Sequence, residues 1–286
     1  MRESTGPTFI GCGSDFASAT SVLLGVPFDG TVSFRPGARF APAQIRMESV
    51  GLETYSPYFD ADLTDFSLCD LGDLEPPFGN TEKVLQLVQE QMRHVFQHNK
   101  KLIMLGGEHL ISLPAITEAK RQYDDLVVLH FDAHTDLRSD YLGETLSHAT
   151  VMRRVWEVLG DGRIWQFGIR SGTREEFYWA KAGRTVLQMH DFTGLGAAIA
   201  EIGHRPVYLT IDLDVLDPSV LPGTGTPEAG GVSFPDLITA LKAVSTLNII
   251  GSDLVELAPH YDHSGASSAV ACKVLRELII AVSIGL

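Results

Sequence analysis

The stretch from Leu126 to Asp136 reads Leu-Val-Val-Leu-His-Phe-Asp-Ala-His-Thr-Asp, and it constrains the fold more than any other part of the chain. Its first half is a β-branched and aliphatic run of the kind found in strands buried on both faces, which belong to parallel sheets covered by helices. Its second half is polar. Asp132, His134 and Asp136 sit two apart, and in an extended chain that period sends all three side chains to one side. A single Asp after a strand is ordinary turn chemistry. Two carboxylates and an imidazole in register predict a set of ligands at the end of a buried strand.

The rest of the chain repeats the alternation. Apolar runs at 21–27, 66–71, 101–105, 164–169, 185–189, 207–211 and 249–257 predict strands. Segments 42–48, 80–101, 113–123, 151–159, 175–182, 194–202, 234–244 and 267–282 predict helices. This order predicts an α/β fold of three layers, α/β/α, with a mostly parallel central sheet and right-handed crossovers. No linker or composition break divides residues 1–286, so a single domain is expected.

In open parallel sheets, sites form outside the carboxyl ends of the strands. His109 falls there, just past Gly106-Gly107, where two glycines permit a tight turn and a close backbone approach. So do Asp132, His134, Asp136, the pair Asp212 and Asp214, and Glu256. The four clustered Asp residues and two His residues, with no thiolate, are more oxygen than one tetrahedral zinc uses. Four negative charges balance two divalent cations, and mostly hard oxygen donors favour manganese over zinc. Two cations sharing a carboxylate lie ~3.5 to 4 Å apart and bring the pKa of a bridging water toward neutrality. The expected chemistry is metal-assisted hydrolysis, and no serine or cysteine nucleophile motif competes with it.

The formal net charge of −14 argues against a nucleic-acid partner and suits a cationic small molecule. Cys12, Cys69 and Cys272 are odd in number and far apart, which fits a reduced cytoplasmic protein. No apolar run approaches the ~20 residues that cross a bilayer, and residues 1–15 lack a secretory pattern. His94 and His98 flank a helical stripe without converging, and His260 and His263 around Asp262 read as rim-loop residues. His148 is either a helix-start residue or a catalytic one, and Glu256 either a buried ion-pair partner or a substrate ligand. Asp140 and Glu144, on a polar loop, are either solvated acids or groups that face a cationic substrate.

Gly-Gly-Glu-His at 106–109, Asp-Ala-His-Thr-Asp at 132–136, Ser-His at 147–148, Asp-Leu-Asp-Val-Leu-Asp-Pro at 212–218, Gly-Thr-Gly-Thr-Pro-Glu-Ala-Gly-Gly at 223–231 and Asp-Leu-Val-Glu at 253–256 together resemble the ureohydrolase family of arginases and agmatinases. The resemblance implies an arginase-like fold and two Mn²⁺ per subunit. One would be held by His109, Asp132, Asp136 and Asp212, the other by Asp132, His134, Asp212 and Asp214. It implies that Glu256 pairs with a substrate guanidinium, that Asp136 carries a proton to the leaving amine, and that His148 exchanges protons with solvent. It also implies a homo-oligomer, trimer or hexamer. Phe34 to Phe40 and the loop from 137 to 148 are of the agmatinase type, whereas the Asn- and Ser-bearing loop of arginases is replaced by Leu137, Arg138, Ser139 and Asp140. The implied reaction is hydrolysis of agmatine to putrescine and urea in polyamine biosynthesis. The alternatives are a sibling hydrolase of arginine, guanidinobutyrate or formimidoylglutamate, and a non-catalytic metal-binding subunit.

Overall fold

In the computed structural model, which describes residues 6–285, the predicted strands form β1 (Ser21–Val26), β4 (Leu68–Asp73), β5 (Lys101–Gly106), β6 (Val127–Phe131), β7 (Ile164–Ile169), β8 (Val186–Met189), β9 (Pro206–Asp212) and β10 (Asn248–Val255). They lie side by side in the order β4-β1-β5-β10-β9-β6-β7-β8, and every neighbouring pair is parallel. A two-residue antiparallel pair, β2 (Tyr55–Ser56) with β3 (Ala61–Asp62), lies outside this sheet and was not anticipated.

The period of two along each strand divides the core. On β5, Ile103 and Leu105 join one apolar cluster with α1 (Ala41–Glu48), α6 (Leu195–Ile202), α7 (Phe234–Val244) and α8 (Ala266–Ile284). Leu102 and Met104 join the other with α2 (Thr81–Gln97), α3 (Ser112–Gln122) and α4 (Val151–Leu159). The central strands β1, β5, β10, β9, β6 and β7 therefore bury both faces, which is why their sequences read as near-continuous apolar runs, whereas the edge strand β8 is half-exposed. The three expected layers result. Among the described residues no helix is long and apolar enough to cross a membrane.

Side-chain caps fix the starts of three helices. Asn80 starts α2 by accepting from Lys83 N at 2.9 Å, and reciprocal capping boxes start α7 (Ser233 with Asp236) and α5 (Arg174–Trp179; Thr173 with Glu176). Two expected ends are corrected. The helix expected to run to 101 stops at Gln97, because Asn99 adopts a left-handed conformation with φ 53°. The strand expected to reach 257 stops at Val255, and Glu256 turns out of it with φ 66°.

The sheet order matters most for β5, β10, β9 and β6. They are adjacent at the centre of the sheet, and at ~4.8 Å per strand their carboxyl ends span only about 14 Å. Four segments distant in sequence therefore deliver their first residues to one place.

Candidate metal centre

His109 opens a tight turn directly after β5, Asp212 ends β9, and Asp214 follows in a turn where Asp212 Oδ1 accepts its N–H at 2.8 Å. Asp132 to Asp136 follow β6, and Glu256 follows β10. The extended comb expected at 132–136 is corrected. Asp132 Oδ1 accepts the His134 N–H at 2.5 Å, which curls the chain, and Asp136 is left-handed with φ 53°. The side chains converge all the same, by a bend instead of a strand period.

His109 Nδ1 lies 3.1 Å from Asp132 Oδ2, 3.3 Å from Asp212 Oδ2 and 3.4 Å from Asp136 Oδ2. Beside it, His134 Nδ1 lies 3.0 Å from Asp214 Oδ2 and 3.6 Å from Asp132 Oδ1. All of these residues except His134 are buried. Burial, then the neighbouring Asp214 and Asp132 charges, push Asp212 well above the usual carboxylate range. Burial and Asp132 also raise Asp136. Asp132 goes the other way: burial opposes its ionisation, but His130 and His109 hold it well below the usual range.

The Thr210 hydroxyl tests whether a cation fits this cluster. It donates its one proton to Asp253 Oδ1 at 2.5 Å, so toward His109 Nε2, at 2.8 Å, it can only accept. Nε2 therefore carries the proton. Nδ1 is left as a buried nitrogen without a hydrogen-bond partner, facing three carboxylate oxygens. Lone pairs opposing lone pairs out of water are costly unless positive charge lies between them. The same field acts on the imidazole itself: burial opposes protonation of His109, but the three carboxylates draw its pKa well above the ordinary value. A divalent cation answers that field with more charge than an imidazolium, so the donor set fits a bound metal. His109, Asp132 and Asp136 lie in one group whose donor atoms are close enough to share a cation, and Asp132, His134 and Asp214 in another.

Sequence reasoning missed His130. It is fully buried on β6, with Nε2 2.7 Å from Asp132 Oδ2. Gln166 Nε2 donates to Thr135 O at 2.8 Å and to His130 Nδ1 at 3.0 Å, so the imidazole presents its N–H to Asp132. Thr210 and Asp253 were missed as well. Tyr208 completes that line by donating to Asp253 Oδ2 at 2.9 Å. One signal was available: His130 and Thr210 each lie two residues before a site Asp, a spacing that puts two side chains on one face of an extended chain.

Glu256 Oε1 accepts the His109 N–H at 2.8 Å, and burial followed by the nearby Glu108 raises its carboxyl well above the usual range. His148 begins a tight turn before α4, so its two sequence readings are compatible. Its Nε2 lies 3.3 Å from Ser33 Oγ, and burial lowers its pKa against the pull of Asp136. Both residues line a cavity of about 270 Å³ that also reaches His109, His134, Asp136 and Asp212. Ser33, Arg138, Tyr141, Glu176 and Thr226 also line it. Asp140 and Glu144 are exposed and are not among the residues that line it. His94 stacks on Phe16 and His98 meets the same ring edge-on, and the exposed His260 meets Pro36 O at 3.1 Å in a loop contact. His263 is likewise exposed. Cys12, Cys69 and Cys272 are buried and unpaired.

The Arginase family profile matches residues 19–281. The chain is 44% identical over 279 residues to an agmatinase of Bacillus subtilis (strain 168), covering 96% of each chain. It is 34% identical to a guanidinobutyrase of Pseudomonas aeruginosa, covering 91% of this chain and 85% of that one. The solved agmatine ureohydrolase of Thermoplasma volcanium superposes with a TM-score of 0.90 at 35% identity, covering 98% of this chain and 95% of that one.

Proposed function

Because the chain belongs to the arginase family, we propose that it is an agmatinase-type amidinohydrolase that converts agmatine and water to putrescine and urea. The observation that carries the hydrolytic reading is the unpartnered, buried His109 Nδ1 set among the oxygens of Asp132, Asp136 and Asp212. The choice of agmatine is supported by the 44% identity to the Bacillus subtilis enzyme over nearly the full length of both chains.

In this reading two Mn²⁺ would be held, one by His109, Asp132, Asp136 and Asp212 and the other by Asp132, His134, Asp212 and Asp214. When bound, such cations supply Lewis acidity that activates water for attack at neutral pH. The remaining work falls to the chain. Glu256 keeps one carboxylate oxygen on the His109 N–H, which leaves the other to accept from the guanidinium and turn its carbon toward the cluster. A cationic substrate also lowers the cost of that buried charge. Asp136 carries a proton to the leaving amine. His148, on the cavity wall and held toward its neutral form by burial, exchanges protons between the site and solvent. Residues 1–286 are read as one domain, supported by one family match and one continuous sheet. A cytoplasmic homo-oligomer, trimer or hexamer, belongs to the same reading.

A second substrate is favoured by one feature of the wall. Arg138, lying over Tyr141 at 4.7 Å and with its Nε 3.9 Å from Glu176 Oε2, is a cation that suits a carboxylate tail such as guanidinobutyrate's. The deciding experiment is product release by manganese-loaded protein from agmatine, arginine, guanidinobutyrate and formimidoylglutamate in parallel. Urea and putrescine from agmatine support the proposal. Turnover of guanidinobutyrate in its place transfers the assignment to Arg138, and no turnover of any of the four overturns the enzymatic reading.

A further inference from the structure

Glu108 is fully buried beside His109, yet it does not line the cavity and has no part in the mechanism above. Its carboxylate is held by the loop that carries Thr31. Oε2 accepts the Thr31 N–H at 2.8 Å, and Oε1 takes the proton of the Thr31 hydroxyl. That hydroxyl has no second proton, so its oxygen is free only to accept, and it accepts the His148 N–H at 3.1 Å. Two residues further on, Ser33 Oγ is the one hydrogen-bonding partner of the His148 ring among the described residues, while Nδ1 is buried without one.

The same loop is stitched to the end of β5 by its backbone. Gly107 N donates to Val26 O at 3.1 Å and Glu108 N to Phe28 O at 2.7 Å. Asp29 closes the loop by accepting from Gly37 N at 2.7 Å. His148 is thus held at its backbone by Thr31 and at its ring by Ser33, both on a loop that Glu108 fastens to the strand end bearing His109.

We infer that Glu108 and Thr31 are positioning residues for His148: the carboxylate fixes the direction of the Thr31 hydroxyl, and the hydroxyl fixes where the imidazole stands over the cavity. The inference rests on the reading of His148 as the residue that moves protons. A mere loop anchor would affect folding and metal loading, whereas a positioning residue acts through one side chain and becomes silent when that side chain is removed.

The test is a double-mutant cycle on manganese-loaded enzyme with agmatine, recording kcat, KM, bound manganese and Tm. Thr31→Val removes the hydroxyl at nearly constant shape, and small misplacements of a catalytic group cost up to ~100-fold in rate. It is expected to lower kcat by roughly 10- to 100-fold at unchanged KM and metal content, and Thr31→Ser should restore most of the rate. In a His148→Ala background the same Thr31→Val change should alter kcat by less than about 2-fold. Glu108→Gln, which places an amide where the hydroxyl proton is received, should follow the same pattern and serves if Thr31→Val is unstable. Equal losses in both backgrounds, failure of Thr31→Ser to rescue, or a loss confined to KM would overturn the inference. Wild-type turnover is the control: if another guanidine proves to be the substrate, the cycle is run on it, and if none is turned over, the catalytic reading of His148 falls together with this one.

Discussion

Replacing Thr210 by Val tests the metal centre without replacing any proposed ligand. The substitution keeps the side chain's shape in a fully buried position and removes two hydrogen bonds, the acceptor for His109 Nε2 at 2.8 Å and the donor to Asp253 Oδ1 at 2.5 Å. A cation on His109 Nδ1 would polarise the Nε2–H group, so the lost bond is of the charge-assisted kind, worth about 1.5–3 kcal/mol. At about 1.4 kcal/mol per tenfold this predicts manganese binding weaker by roughly 10- to 150-fold. Outer-shell partners of metal-ligating histidines elsewhere span a similar range, about 10- to 100-fold. Asp253 keeps Tyr208 as a partner but loses the other hydroxyl, a separate cost of about 1–3 kcal/mol that lowers the Tm of the metal-free protein as well. Titration of metal-free protein against a chromophoric chelator separates the two effects, and Thr210→Ser, which retains the hydroxyl, should recover affinity to within about 3-fold of wild type. A Thr210→Val protein that loses stability but binds manganese as tightly as wild type would refute the argument that Thr210 sets the tautomer of a metal ligand.

Replacing Asp132 or Asp212 by Ala removes the carboxylates proposed to be shared. Each variant should hold fewer than two manganese ions per subunit and lose activity, so full metal content with normal turnover would overturn the shared assignment. Asp217 staples the 217–231 loop by accepting from Ser219 Oγ and N and from the N–H groups of Gly230 and Gly231. These bonds, Ser219 foremost, hold its pKa down to about 2. A folded-state pKa below the unfolded value of about 3.9 means that its stabilisation is complete above about pH 4 and lost as pH falls toward 2. Asp217→Asn should therefore cost about 1–2 kcal/mol at pH 7, by urea unfolding, with the gap to wild type shrinking from pH 4 to pH 3; a widening gap would contradict the sign. A Cβ at Gly107 would lie 1.7 Å from Phe28 O, a backbone atom that cannot rotate away. Gly107→Ala should thus destabilise by about 1–3 kcal/mol or more, and a Tm within 2 °C of wild type would show that the loop gives way freely.

The layers were legible in the sequence because both signals that define them are local. A strand covered on both faces must be apolar at consecutive positions, and a helix packed on a sheet must show a stripe; Val127–Phe131 and Phe234–Val244 meet these demands within their own residues. The order of the strands was not legible in the same way. That β10 inserts between β5 and β9 depends on crossovers and packing over the whole chain. The site residues could nevertheless be named, because in a parallel sheet the carboxyl end of every strand faces the same edge, so polar residues at those ends become neighbours once central strands are adjacent. The partners behind them were harder to see. Thr210 and Asp253 lie inside apolar runs, and the contact that gives their polarity meaning is made across strands, where Tyr208 and Thr210 on β9 meet Asp253 on β10.

The least legible feature is the backbone at Asp136 and Glu256, both left-handed at φ 53° and 66°. Asp tolerates that region comparatively well, but Glu has no such preference, and strained conformations of this kind cost on the order of 1–3 kcal/mol. Neither pattern nor spacing signals a residue placed against its own preference. The surrounding structure shows how Glu256 is held: its N–H donates to Gly107 O at 2.9 Å while its carboxylate accepts from His109 N at 2.8 Å, so the turn is bonded on both sides to the strand end that carries His109. An extended Glu256 would continue β10 and direct its side chain along the strand's alternation. The left-handed turn frees it from that alternation and ties it to the cluster. The close approach of Gly107 to Phe28 fixes the other side of the same strand end, so one glycine contact supports both Glu256 and the loop that holds His148.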